Sequence, residues 1–212
     1  MVASQTYCYH GAMARGVDAD QRRTALAHAV WAVIARDGAG AVTVRRVAAE
    51  AGVSVGRVQH YFPHKDELLR HACQAMVDQA AEAFAGRSAD RDSRTVLREL
   101  VVQPIPSTRG ARVGISVWQA FLAWSLQDEA IAALIRTELD GTRALIADLL
   151  RAVRATRADG AAGGFDADVT ASALLALGHG LAQQVMAGSM TYPDAVHAAD
   201  DALAWIGVSA TG

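Results

Sequence analysis

Ser54, Gly56, Arg57, Gln59, His60 and Tyr61 fall within eight consecutive residues. A short helix over this stretch turns that polar set outward while Val55, Val58 and Phe62 mark its inner face. An exposed helix kept for solubility usually carries Glu and Lys, and this one carries Ser, Gly, Arg, Gln, His and Tyr. Arginine and glutamine are the side chains best suited to hydrogen-bond base edges in a major groove. A glycine at position 56 lets a backbone approach a phosphate, and amides at a helix start, with the Thr43 hydroxyl, can bind one.

The elements that position this set are legible on either side. Val44, Val47, Ala48 and Ala51 recur at helical spacing, with Thr43 as N-cap and Gly52 as stop. Ser54 opens the next helix and Pro63 ends it. Ala51-Gly52-Val53 joins the two, and a glycine there supplies the positive φ that swings one short helix sharply against another. The pattern predicts a helix-turn-helix in preference to a plain helical hairpin. An earlier helix is expected over 20–37, closed by Asp37-Gly38, and a fourth from Lys65-Asp66-Glu67 to about 86. Further helices are expected over 93–103, 110–126, 128–157, 166–188 and 194–206, and no convincing strand is seen. The chain reads as all-α.

Composition agrees with a globular protein. The 212 residues are 52% hydrophobic and 20% charged, enough to bury a core. Disordered, collagen-like and disulfide-stapled classes are excluded. With only Cys8 and Cys73, no multi-cysteine metal site is available, and a cytoplasmic setting is the default expectation. No run of eighteen apolar residues exists, so no membrane partner is expected, and residues 1–18 read as a disordered lead without the features of a secretory signal. The net charge of −2 conceals an asymmetry: residues 1–80 carry nine basic against seven acidic side chains, the remainder eleven against fifteen. Between 41 and 65, Arg45, Arg46, Arg57 and Lys65 face Glu50 alone. A basic module on an acidic body suits a nucleic-acid reader, although scattered surface charge gives a similar count.

From Gln21 to Met76 the chain resembles TetR-family transcriptional regulators. The resemblance lies in Ala51-Gly52-Val53-Ser54 as the turn, then Gly56, Val58, His60-Tyr61-Phe62-Pro63 and Lys65-Asp66-Glu67-Leu68. It implies about nine helices. An N-terminal three-helix reader would occupy 19–80, and a helical ligand-binding and dimerisation domain 81–212. By this resemblance Thr43, Ser54, Tyr61 and Lys65 are phosphate contacts, while Arg57, Gln59 and His60 read bases. Arg45 suits either role, and the Tyr61 ring packs while its hydroxyl stays free. Two departures stand out. His64 occupies a position usually held by a good cap, so the fourth helix is expected to start slightly frayed. Gln59 and His60 replace the aromatic or aromatic-histidine pair of many relatives, which implies a different operator.

In the C-terminal half, Trp118-Gln119-Ala120-Phe121 and Asp128-Glu129-Ala130 are similar to the choline-responsive, BetI-like branch, without carrying choline over as ligand. Trp118, Phe121 and Leu122 share a helical face, and His179, Gln183 and Met186 lie on a later helix. Together they offer apolar walls with few polar handles for a small apolar or amphipathic effector. Taken singly, each of these residues also suits core or interface. Gly178 and Gly180 read as sites of close helix approach. The helix around them is small and apolar almost all round and is expected to be buried, against its twin in a homodimer.

No glycine-rich phosphate loop, metal-ligand set or nucleophile–base pair is present, so an enzyme, a cofactor and a metal are not expected. His197 with Asp200 and Asp201 lies on a predicted surface face. The expected function is that of a repressor released from a near-palindromic double-stranded operator by a small molecule. The alternative is a DNA-binding regulator that answers to a protein partner or to no ligand.

Overall fold

The computed structural model describes residues 6–88, 91–155 and 166–208, with side chains described from residue 19 onward except that of Ser88. Nine α-helices and a single 3-10 turn, Ala39–Ala41, account for the regular structure among them, and no strand occurs there. In chain order the helices are α1 Thr6–Asp37, α2 Val44–Glu50, α3 Val55–Tyr61, α4 Lys65–Ser88, α5 Ser93–Val102, α6 Arg109–Ser125, α7 Glu129–Ala155, α8 Ala167–Ala187 and α9 Tyr192–Trp205. The backbone separates into two compact units, Met1–Ala80 and Ala81–Gly212, and the dividing point falls within α4.

One difference from the sequence reading lies at the start. Helical backbone begins at Thr6, whereas a disordered lead is expected over 1–18. No proline interrupts 6–37, so nothing in the backbone stops the helix from running back. Residues 1–5 of that lead, the last residues of the helix expected to 157 and the stretch between it and the helix expected from 166 lie outside the described residues.

Helix starts are set by short polar side chains. Thr43 Oγ1 accepts the Arg46 amide hydrogen at 3.2 Å and Ser54 Oγ accepts that of Arg57 at 3.1 Å. Asp92, Thr108, Asp166 and Thr191 cap α5, α6, α8 and α9 in the same way. Each such cap stabilises its helix by about 1 kcal/mol. At α4 the preceding residue is His64, and the Leu68 amide donates to the His64 carbonyl over a long 3.4 Å. A stretched first bond is what a poor cap leaves behind.

In the first unit, Leu26, Val30, Val33 and Ile34 of α1, Val47 and Ala48 of α2, Val58 of α3, and Leu68, Leu69 and Ala72 of α4 are all buried. Trp31 Nε1 donates to the Ala72 carbonyl at 3.1 Å, which pins α1 to α4. Arg36 of α1 reaches Glu50 at the end of α2 at 2.6 Å.

In the second unit, Leu97, Leu100 and Val101 of α5, Ile146 and Leu150 of α7, Leu174, Leu181 and Val185 of α8, and Ala199 and Leu203 of α9 form one apolar cluster. Gly178 of α8 lies against the end of α5, where an added Cβ would come 2.5 Å from the Val101 carbonyl oxygen. Gly180 has open space around it, so close approach explains the first glycine and not the second.

Candidate functional site

The turn between α2 and α3 positions every residue that follows it. Gly52 has φ of +66°, the left-handed conformation that costs glycine least. The Val53 amide reaches back to the Ala48 carbonyl at 2.9 Å and the Gly52 amide to Ala49 at 3.2 Å, satisfying the end of α2. Ser54 then starts α3 at once. Val58 is fully buried beneath α3, and Phe62, its C-terminal cap residue, is buried beside it.

With Val58 as the anchor, the remainder of α3 faces outward. Ser54, Gly56, Arg57, Gln59 and His60 are exposed, Tyr61 is half-buried, and Thr43, Arg45 and Lys65 are exposed around them. All nine residues singled out for a nucleic-acid surface therefore lie in one unit, eight of them exposed. Val55, expected on the inner face, is 39% exposed. It precedes Val58 by three residues, yet of the two valines Val58 alone is buried. An exposed valine beside Gly56 adds an apolar group of the kind that touches a thymine methyl.

The side chains within this face are ordered by each other. The Arg57 guanidinium carbon sits 5.6 Å from the Tyr61 ring centroid, and the His60 ring meets the other aromatic edge-on at 5.2 Å. Arg57 and Tyr61 also border a small hollow with Arg22, Ala25 and Leu26 of α1 and Ala51 and Val53 of the turn. Arg22 was missed by the sequence reading, because only the packing of α1 brings it to α3.

Electrostatics sorts the arginines. Arg46 pairs with Asp37 at 3.4 Å, and Arg36 pairs with both Asp37 and Glu50, whose carboxylates hold its proton more firmly than usual. Among the described residues Arg45, Arg57 and Lys65 have no carboxylate partner, so their charge is directed to solvent. Beneath them, Phe62 lies between the Arg23 guanidinium at 5.1 Å and the His71 ring at 5.0 Å. His71 Nε2 is buried without a hydrogen-bond partner. Burial, and then the Arg23 charge, lowers its pKa and keeps the ring neutral.

The second unit places its six singled-out residues differently. Phe121 of α6 is 0% exposed, with its ring edge to Trp124 at 5.5 Å, and belongs to the core. Trp118, Leu122, His179 and Met186 are half-buried and Gln183 is exposed. Burial alone lowers the pKa of His179. α6 and α8 are tied by Gln119 Nε2 donating to Gln183 Oε1 at 3.1 Å and by Arg112 donating to the Val185 carbonyl at 3.1 Å. A larger cleft, about 900 Å³, lies elsewhere in this unit, and none of the six lines it. Arg98 of α5 and Asp200 of α9 bridge that cleft through two bonds of 2.6 and 2.8 Å. Asp200 therefore belongs to an ion pair, not to the bare surface face expected for it.

Among the described residues no cluster of histidine, cysteine, aspartate and glutamate could hold a metal ion, and no helix is long and apolar enough to cross a membrane. A capped helix-turn-helix with an outward polar flank, followed by a separate helical unit, is the arrangement of a DNA-binding transcriptional regulator. Comparison with known proteins agrees. Residues 26–72 match the bacterial regulatory proteins of the tetR family, and residues 93–206 match the BetI-type transcriptional repressor C-terminal family. The chain belongs to the TetR family.

Individual relatives are distant. The HTH-type transcriptional regulator PksA of Bacillus subtilis is 28% identical over 176 residues, 82% of this chain and 83% of that protein. BetI of Stenotrophomonas maltophilia is 34% identical over 117 residues, 54% of this chain, and the match spans only 60% of that protein. A putative transcriptional regulator from Saccharomonospora viridis, solved in complex with choline, superposes with a TM-score of 0.78 at 26% identity, covering 87% of this chain and 96% of that one.

Proposed function

We propose that this protein is a dimeric repressor that leaves a near-palindromic operator when a small molecule binds its C-terminal unit. The observation that carries the reading is the outward flank of α3, five exposed hydrogen-bonding or small residues over one buried valine. In this reading Thr43, Ser54, Lys65 and the Tyr61 hydroxyl bind phosphates, and the Gly56 backbone approaches one. Arg57, Gln59 and His60 read base edges, and Arg45 supports either task.

Support for the dimer comes from α8. Its outer face, Val169, Ser172, Ala173, Ala176 and Gly180, is exposed in the single chain and made of small or apolar residues, a surface suited to a second copy. Two-fold pairing sets two copies of α3 about one helical turn of DNA apart. Support for an effector comes from the BetI-type match and the choline-bound neighbour. Trp118, Leu122, His179, Gln183 and Met186 offer it apolar and polar contacts, and Phe121 is buried on the same helix as Trp118 and Leu122. Release would follow if the occupied state favours a spacing of the readers that no longer fits consecutive grooves, with α4 the element shared by both units.

The test is selection of bound duplexes from a random pool by the full protein, repeated with candidate small molecules. Enrichment of a two-fold symmetric site whose occupancy falls with a ligand is the expected result. Enrichment that no small molecule alters favours the partner-controlled or ligand-free regulator, and an unenriched pool removes the reading altogether.

A further inference from the structure

The cleft between α5 and α9 carries a chemistry that the operator reading does not use. Its floor is apolar: Ile105, Leu203 and Val208 are buried there, with Val102 half-buried beside them. Its rim is cationic, four arginines against three carboxylates. These charges are not evenly spent. Arg98 is taken up by Asp200, and Arg87 and Arg91 both hold the single carboxylate of Glu99, at 2.7 and 2.9 Å. With Asp201 counted as the third carboxylate, the four arginines leave the rim one positive charge in excess. Arg94, one turn before Arg98 on α5, has no ion pair among the described residues and is half-buried. Arg94 thus lines the cleft as a positive charge with no carboxylate bound to it among the described residues.

We propose that this cleft binds a small organic anion with an apolar body, an acyl or aryl carboxylate, whose carboxylate pairs with Arg94. The hydrocarbon lies over Ile105, Leu203 and Val208, where burial of each methylene is favourable. The cleft, at about 900 Å³, has room for such a molecule. The same rim repels a quaternary ammonium, so a cationic ligand in this protein occupies another place. Binding here is independent of whether the occupant releases DNA.

Titration of the full-length protein by calorimetry with octanoate, and separately with octyltrimethylammonium, tests the site. Octanoate binding with one site per chain is expected, with no competing signal from the cation. Arg94→Gln removes the charge without breaking an ion pair and should weaken octanoate about ten-fold or more. Ala204→Trp fills the cleft from its exposed side and should abolish the signal. Circular dichroism and melting of both variants establish that they fold. No octanoate binding up to millimolar concentration, equal binding of the ammonium, or octanoate affinity unchanged in both folded variants overturns the proposal.

Discussion

The guanidinium of Arg57 lies over the ring of Tyr61, one turn further along the same helix, at 5.6 Å. This stacking holds a long side chain that otherwise samples many rotamers, and a held side chain loses less entropy when it meets a base. Removing the arginine should therefore relax base preference. Arg57→Ala is expected to cost ~1–3 kcal/mol on the preferred site and far less on unrelated duplexes. Binding measured across a panel of single-base variants checks this, and a preference profile identical to that of the wild type contradicts the role.

Lys65 offers the contrast. Its charge is unpaired among the described residues and it sits at the start of α4, not on α3 itself. Lys65→Ala should weaken all duplexes alike and lower the slope of log affinity against log salt by about one. A sequence-dependent loss would assign it to base readout instead.

The two glycines of α8 should respond oppositely. In Gly178→Ala the new methyl meets the Val101 carbonyl oxygen at 2.5 Å, so α5 and α8 must move apart. A loss of about 1–3 kcal/mol in folding stability is expected. Gly180→Ala meets nothing within the chain and gains helix propensity of about 1 kcal/mol. Its effect should appear in the dimer dissociation constant, because the residue lies on the exposed face of α8. Thermal melts at several protein concentrations separate the two. Equal melting temperatures for both variants would remove the distinction.

Acid should destabilise the fold before carboxylates titrate. Burial lowers the pKa of His71 and His179 below the ordinary value of 6.5, so the unfolded chain takes up protons first as pH falls. Stability is therefore full above about pH 6.5 and declines below it, toward the folded values. His71→Gln should flatten that decline. Melting temperatures between about pH 7.5 and 5.5 provide the measurement, and a rise on acidification contradicts the buried neutral rings.

Local chemistry makes much of this protein legible in its sequence. Thr43, Ser54, Gly52 and the valines at helical spacing act on residues within a few positions of themselves, so α2, the turn and α3 follow from adjacent side chains. The exposed polar flank of α3 follows too, because Val58 and Phe62 claim the inner face. The same reasoning fails once two distant segments meet. Val55 has the spacing of a core residue and is 39% exposed, while Val58 three residues on is sealed. Phe121, suited by type to a ligand wall, is sealed in the core. Gly178 and Gly180 are indistinguishable by sequence, yet only one faces the Val101 carbonyl.

The cleft between α5 and α9 was illegible for the same reason. Arg98 and Asp200 lie 102 positions apart, and nothing local to either announces the other. Short-range hydrogen bonding and periodicity thus settle which helices exist and which way the reading helix is capped. Which side chains share a cavity depends on how helices pack, and packing is decided by the shape of the whole core.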